Sequence, residues 1–225
     1  MLSIGFVTIL FFIVFINASI SALGDKVPVT CGSTIKLAHV VSKARLHSHE
    51  VAYSRGSQQQ SVTGFPSSDD SQSYWVVHGP KEDPCIPGGT FKKGSALRLQ
   101  HTVTRKWLHS HQFHSPLTQN QEVSAYGSDN ESDGGDVWFL EWESKAKVWK
   151  QDGKVRLKHR DTGMYLYSSE GSKFGHPING QQEVCGVRHK DKNSEWQTAE
   201  GVFLPSLETA AGGEGQTVDT TNDEL

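Results

Sequence analysis

The sequence repeats itself three times at a period of about 60 residues, and no other feature narrows the possible folds so far. Each copy opens on a glycine followed by an alternating block. These are Gly32 with Ile35, Leu37 and His39, Gly94 with Leu97, Leu99 and His101, and Gly153 with Val155, Leu157 and His159. A leucine follows each histidine at the same interval (Leu46, Leu108, Leu166), and then a glutamine two residues before a valine (Gln60 and Val62, Gln121 and Val123, Gln182 and Val184). Each copy closes on an aspartate five residues ahead of a tryptophan: Asp70 and Trp75, Asp133 and Trp138, Asp191 and Trp196.

Within the opening blocks the period is two, with Ile35, Leu37 and His39 on one face and Lys36 on the other, as in a half-buried strand. Beyond the first two dozen residues nothing sustains apolar positions at helical spacing, and clusters of Gly, Ser, Asp and Asn separate the blocks as turns. Each copy therefore supplies about four short strands, which cannot cover their own apolar face or their edges, so three copies must pool their interiors. The expectation is a pseudo-threefold all-β domain of about twelve strands over residues 27–201, with repeats at about 27–81, 89–144 and 145–201. Leu37, Leu99 and Leu157 should meet inside it.

From Gly5 to Ile16 the only polar residue is Thr8, and small residues follow up to Ala22. A run of this length is too short to span a bilayer, which needs about 20 apolar residues, and reads as a signal peptide over residues 1–22. Residues 202–225 form an acidic tail ending in Asn222, Asp223, Glu224 and Leu225, one residue away from the Lys-Asp-Glu-Leu and His-Asp-Glu-Leu retrieval signals. Together the two ends place the chain in the lumen of the endoplasmic reticulum as a client of a KDEL-type receptor. A net charge of −3 argues against nucleic acid as a partner.

Three cysteines allow at most one internal disulfide. Cys31 and Cys85 stand at the edges of the first repeat and are expected to pair. Cys185 fills a position held by Thr63 and Ser124 in the sister repeats, as a small packed side chain would. Asn130 begins the one glycosylation sequon beyond the leader, in a polar loop.

At these blocks the chain resembles the MIR family, the repeat shared by protein O-mannosyltransferases and the inositol-trisphosphate and ryanodine receptors. The likeness rests on the segments Leu46 to His49, Gln59 to Gly64, Ser71 to Trp75, Leu108 to His111, Gln121 to Ser124 and Gln181 to Cys185. It implies a β-trefoil. Three such motifs behind a signal peptide resemble in particular the stromal cell-derived factor 2 proteins. That resemblance implies a part in protein folding quality control and the unfolded protein response, beside a lumenal DnaJ-type (Hsp40) co-chaperone and the Hsp70 BiP. The alternative it leaves open is a lectin-like or O-mannosylation-linked domain that meets glycan, unfolded or O-mannosylated chains. The third repeat departs from the pattern, with Tyr167 and Ser169 where the others have two histidines.

No Gly-x-Ser-x-Gly elbow, cysteine–histidine signature or phosphate-cradling loop is present, and Glu141 and Glu143 read as a polar strand face, so no enzyme and no cofactor is expected. His47 with His49, and His109 with His111, each project from one strand face. No cysteine or carboxylate recurs beside both pairs in the sequence, so no metal is expected. His101, His109, His111 and His114 could together sense pH. The candidate ligand-binding face is Arg45, His47, His49 and Gln60 in the first repeat and Trp107, His109, His111, Gln121 and Glu122 in the second. These mix donors, acceptors and aromatic surface suited to hydroxyl-rich ligands or extended peptide. The MIR likeness points to the same segments.

Overall fold

The computed structural model describes residues 26–210, so the leader at 1–22 and the terminal Asn222 to Leu225 lie outside the described residues. Twelve strands follow one another, four to a repeat. The first repeat holds β1 (Thr34–His39), β2 (Arg45–Ala52), β3 (Gln60–Phe65) and β4 (Trp75–His78). The second holds β5 (Ala96–His101), β6 (Trp107–His114), β7 (Gln121–Tyr126) and β8 (Trp138–Glu141). The third holds β9 (Lys154–His159), β10 (Tyr165–Lys173), β11 (Gln182–Val187) and β12 (Trp196–Val202). A single 3₁₀ turn precedes the last strand of each repeat, at Ser71–Ser73, Gly134–Asp136 and Lys192–Ser194.

The first and last strands of the repeats close into a ring, β1 to β4 to β5 to β8 to β9 to β12 and back to β1. The middle strands form hairpins whose second members pair with one another in a triangle: β3 with β7, β7 with β11 and β11 with β3. This ring capped by a triangle is the β-trefoil, and it leaves none of the ring strands with an open edge. Leu37, Leu99 and Leu157 are fully buried in one core cluster with Leu46, Leu108, Leu166 and the three tryptophans. Each indole N–H donates to the leucine carbonyl of its own repeat, Trp75 to Leu46 at 2.8 Å, Trp138 to Leu108 at 2.9 Å and Trp196 to Leu166 at 3.0 Å, so the large rings are buried without an orphaned donor.

Polar groups join one repeat to the next. The amide of Gln60 donates to Ser48 Oγ at 2.7 Å in its own repeat and to Thr104 Oγ1 at 2.9 Å in the following one. Gln121 does the same to Ser110 and Thr162, and Gln182 accepts from Ser168 and Ser42. The outward face of the first strand is not left to solvent as its alternation implies. The Lys36 ammonium donates to the Ser68 carbonyl and lies over the Tyr74 ring, Arg98 covers Trp107, and Arg156 pairs with Glu143 and Glu195. Long cationic stems thus cover the barrel wall while their heads are hydrogen-bonded. Cys31 and Cys85 are disulfide-bonded, as expected, and Cys185 is a free, buried thiol.

Candidate functional site: paired histidines and carboxylates

The closing 3₁₀ turn brings an aspartate against each histidine pair. In the first repeat the His47 imidazole donates from Nδ1 to Asp70 Oδ2 at 2.7 Å, and its Nε2 lies 2.9 Å from His49 Nδ1. With Nδ1 of His47 protonated toward the carboxylate, its Nε2 accepts from His49, and the chain of bonds runs His49 to His47 to Asp70. Burial lowers the pKa of His47 despite Asp70, and lowers that of His49 with further help from the neighbouring His47. Burial alone would raise the Asp70 carboxyl, but bonds from Ser73 and His47 outweigh it and hold the group below the ordinary carboxylate range.

In the second repeat His109 Nδ1 donates to Asp136 Oδ1 at 3.0 Å and lies 3.5 Å from Asp133. His111 lies edge-on to His109, ring centroids 5.0 Å apart, and donates from Nε2 not to its partner ring but to Glu122 Oε1 at 2.8 Å. Asp136 is one 3₁₀ turn beyond Asp133, the residue equivalent to Asp70. It can reach the ring because Asp133 caps the turn, accepting from the Gly135 N–H at 2.8 Å while its own N–H donates to Asp136. Gly135 is required there, since a Cβ would stand 2.3 Å from His109 Cε1. A pocket of about 440 Å³ opens beside this pair, with Tyr126, Gln59 and Asp161 on its walls. The third repeat has no histidine to offer, and Tyr167 Oη accepts from Asn193 instead.

The candidate residues thus divide. His47, His49, His109, His111 and Glu122 are gathered around carboxylates. Gln60 and Gln121 are the inter-repeat links already described, Arg45 pairs with Glu200, and Trp107 is covered by Arg98 and donates to the Ser128 carbonyl. His101 does not join His109 and His111 as a group. It is buried against Trp75 in the first repeat, and the exposed His114 bonds the Gln119 carbonyl. Carboxylates do recur beside both pairs, contrary to the expectation from sequence, because the fold returns the Asp-to-Trp segment across the second strand. Donor atoms of His109, Asp133 and Asp136 lie within 4.8 Å of one another, a set that could hold a cation only by giving up the bonds that cap the turn. The aspartate five residues before the tryptophan was the signal for the His47 partner Asp70, whereas His109 is met by Asp136, three residues further on, and His111 by Glu122. Asn130 is exposed in the loop after β7.

Ring, triangle and paired clusters define a MIR-type β-trefoil, and the MIR domain model matches residues 45–198. A stromal cell-derived factor 2-like protein of Arabidopsis thaliana is 50% identical over 195 residues, covering 86% of this chain and 89% of that relative. The chain belongs to the stromal cell-derived factor 2-like family. The crystal structure of the SDF2-like protein from Arabidopsis thaliana has a TM-score of 0.79 at 51% identity, covering 80% of this chain and 99% of that one. The S. cerevisiae protein O-mannosyltransferase Pmt1-Pmt2 complex bound to the sugar donor matches with a TM-score of 0.69 at 29% identity, over 81% of this chain and 27% of that one. Among the described residues no helix is long and apolar enough to cross a membrane.

Proposed function

We propose that the protein is a non-catalytic binding module of the endoplasmic reticulum lumen, acting in folding quality control as a component of an assembly with a DnaJ-type co-chaperone and BiP. The observation that carries this reading is the 50% identity to a stromal cell-derived factor 2-like protein over nearly the full length of both chains. The leader at 1–22 and the terminal Asn222 to Leu225 agree with lumenal residence and with retrieval by a KDEL-type receptor. The site favours binding over catalysis. The His47 nitrogen that would activate a nucleophile in a histidine–aspartate dyad faces His49, and each imidazole is fixed by a neighbour, as in a rigid recognition surface. Exposed Asn130 is the position for a glycan.

The test is affinity purification of the retained protein from crosslinked cells. A DnaJ-type protein and BiP should be recovered, and recovery of neither overturns the assembly. A second reading, recognition of mannosides or O-mannosylated chains, is favoured by the pocket beside His109, where Tyr126 offers a ring face and Gln59 and Asp161 offer polar partners. Retention of glycopeptides on an array, lost on His109→Ala, supports it. An array on which nothing is retained removes it.

A further inference from the structure

The three hairpins meet at a pole where the threefold correspondence fails at one position. In the strand triangle Glu122 pairs with Cys185, Glu183 with Thr63, and Ser61 with Ser124, so residues 61, 122 and 183 are equivalent. The Glu183 carboxylate crosses to the hairpin of the second repeat and accepts the N–H groups of Leu117 at 2.7 Å and Thr118 at 3.1 Å. The Glu122 carboxylate crosses to the first repeat, accepts the Ser57 N–H at 3.3 Å, and also receives His111. The third carboxylate is missing because the first repeat carries serine.

One buried polar atom is left over at this place: Ser61 Oγ has no partner, although the residue is only 1% exposed. Asn179, exposed at the pole, corresponds to Ser57 and Thr118, each of the three preceding a residue of positive φ (Gln58, Gln119, Gly180). Ser61 opens into a cavity of about 510 Å³ walled by Tyr53, Leu117, Phe174 and Ile178, with Arg55 at its edge and no acidic residue in its lining. Buried groups without partners are costly, and a cavity of this size suits a small ligand.

We propose that this largely apolar cavity binds a carboxylate carried on a compact apolar or aromatic group, the anion standing in for the absent glutamate beside Ser61 and the apolar part lying on Leu117, Phe174 and Ile178. The site is separate from the assembly proposed above, and its test does not depend on any chaperone. Either a free acid or the C-terminus of a peptide presents this chemistry.

The experiment is an amide NMR titration of the folded chain with 3-phenylpropionate, with 3-phenylpropanol as the uncharged counterpart. Saturable shifts should fall on Ser61, Leu117 and Asn179, and the alcohol should bind about tenfold more weakly, the difference one charge-assisted hydrogen bond makes. Ser61→Glu supplies the missing carboxylate from within and should reduce binding by about tenfold or more. Leu117→Trp, at a position 42% exposed where the core need not move, fills the cavity from another repeat and should do the same. N-acetyl-Gly-Phe with a free carboxyl distinguishes the sources: tighter binding than 3-phenylpropionate assigns a peptide terminus, and equal or weaker binding assigns a free acid. Equal affinity for the alcohol, no saturable shifts up to about 10 mM, or unchanged binding in either folded variant overturns the proposal.

Discussion

Nε2 of His101 lies 2.9 Å from the carbonyl oxygen of Gln72, and its Nδ1 lies 2.9 Å from Thr104 Oγ1, so one buried ring ties the second repeat to the closing turn of the first. His159 makes the same pair of bonds to Gly135 and Thr162, and His39 to Asn193 and Ser42. Each ring also packs on the tryptophan of the preceding repeat, His39 on Trp196, His101 on Trp75 and His159 on Trp138. Replacing His101 with alanine removes both bonds, leaves the part-buried Gln72 carbonyl without its donor and leaves a cavity. The expected loss is about 2–4 kcal/mol of unfolding free energy, and urea denaturation measures it. A loss under about 0.5 kcal/mol would mean that the inter-repeat tie is idle.

The same burial makes stability depend on pH. The pKa values of His39, His101 and His159 are lowered from 6.5, first by desolvation, and those of His47, His49 and His78 are lowered for the same leading reason. The unfolded chain therefore takes up protons at these positions before the folded one does, and folding free energy is lost as pH falls through about 6.5. Above that range these groups contribute no slope, and the loss ends once the pH is below the folded values. Thermal melts between about pH 8 and pH 5 should show a plateau followed by a fall starting near pH 6.5. A flat profile down to pH 5 would show that these rings are charged in the folded state as readily as in the unfolded one.

Much of this arrangement could be read from the chain. The alternating blocks announce the barrel strands, and Leu37, Leu99 and Leu157 reach one interior because period-two patterning leaves them a single face to bury. The ties between repeats were also in the sequence, since Ser42, Thr104 and Thr162 each follow a block histidine by three residues, but their purpose needs the neighbouring repeat in place. What could not be read is pairing across long separations. Arg45 meets Glu200 at a separation of 155 residues, which commits its guanidinium to an ion pair. Gln60 and Gln121 share the polarity of surface residues, yet their amides are consumed between repeats. Which of Asp133 and Asp136 meets His109 depends on the geometry of one 3₁₀ turn.

The second histidine pair rests on a glycine. Gly135 is in contact with His109, and an added Cβ would stand 2.7 Å from its Nδ1 and 2.8 Å from the Ser110 carbonyl. The obstacle includes backbone, so it cannot be moved aside as a flexible side chain could. Gly135→Ala should displace the His109 ring from Asp136 and cost about 1–3 kcal/mol, the usual range for overpacking. Nitrogen-15 shifts of the His109 ring should report the loss of the bond at Nδ1, while His47, in the other repeat, should be unaffected. Unchanged His109 shifts would show that the turn yields and the ring does not.

The cysteines divide into one structural bond and one silent thiol. Cys31 and Cys85 close a loop with a separation of 54 residues and hold the start of the first repeat to its end. Removing that closure by Cys31→Ala with Cys85→Ala should lower the unfolding free energy by about 4 kcal/mol, by the loop-entropy account. Cys185 lies under Thr118 and Asn120, and burial pushes its thiol up to about 12, so almost no thiolate exists at neutral pH. A thiol reagent added to the native protein under non-reducing conditions should therefore label nothing on a timescale of minutes, and about one group per chain once denaturant opens the fold. Rapid labelling in the native state would place Cys185 at a surface, or show that the Cys31 to Cys85 bond is open.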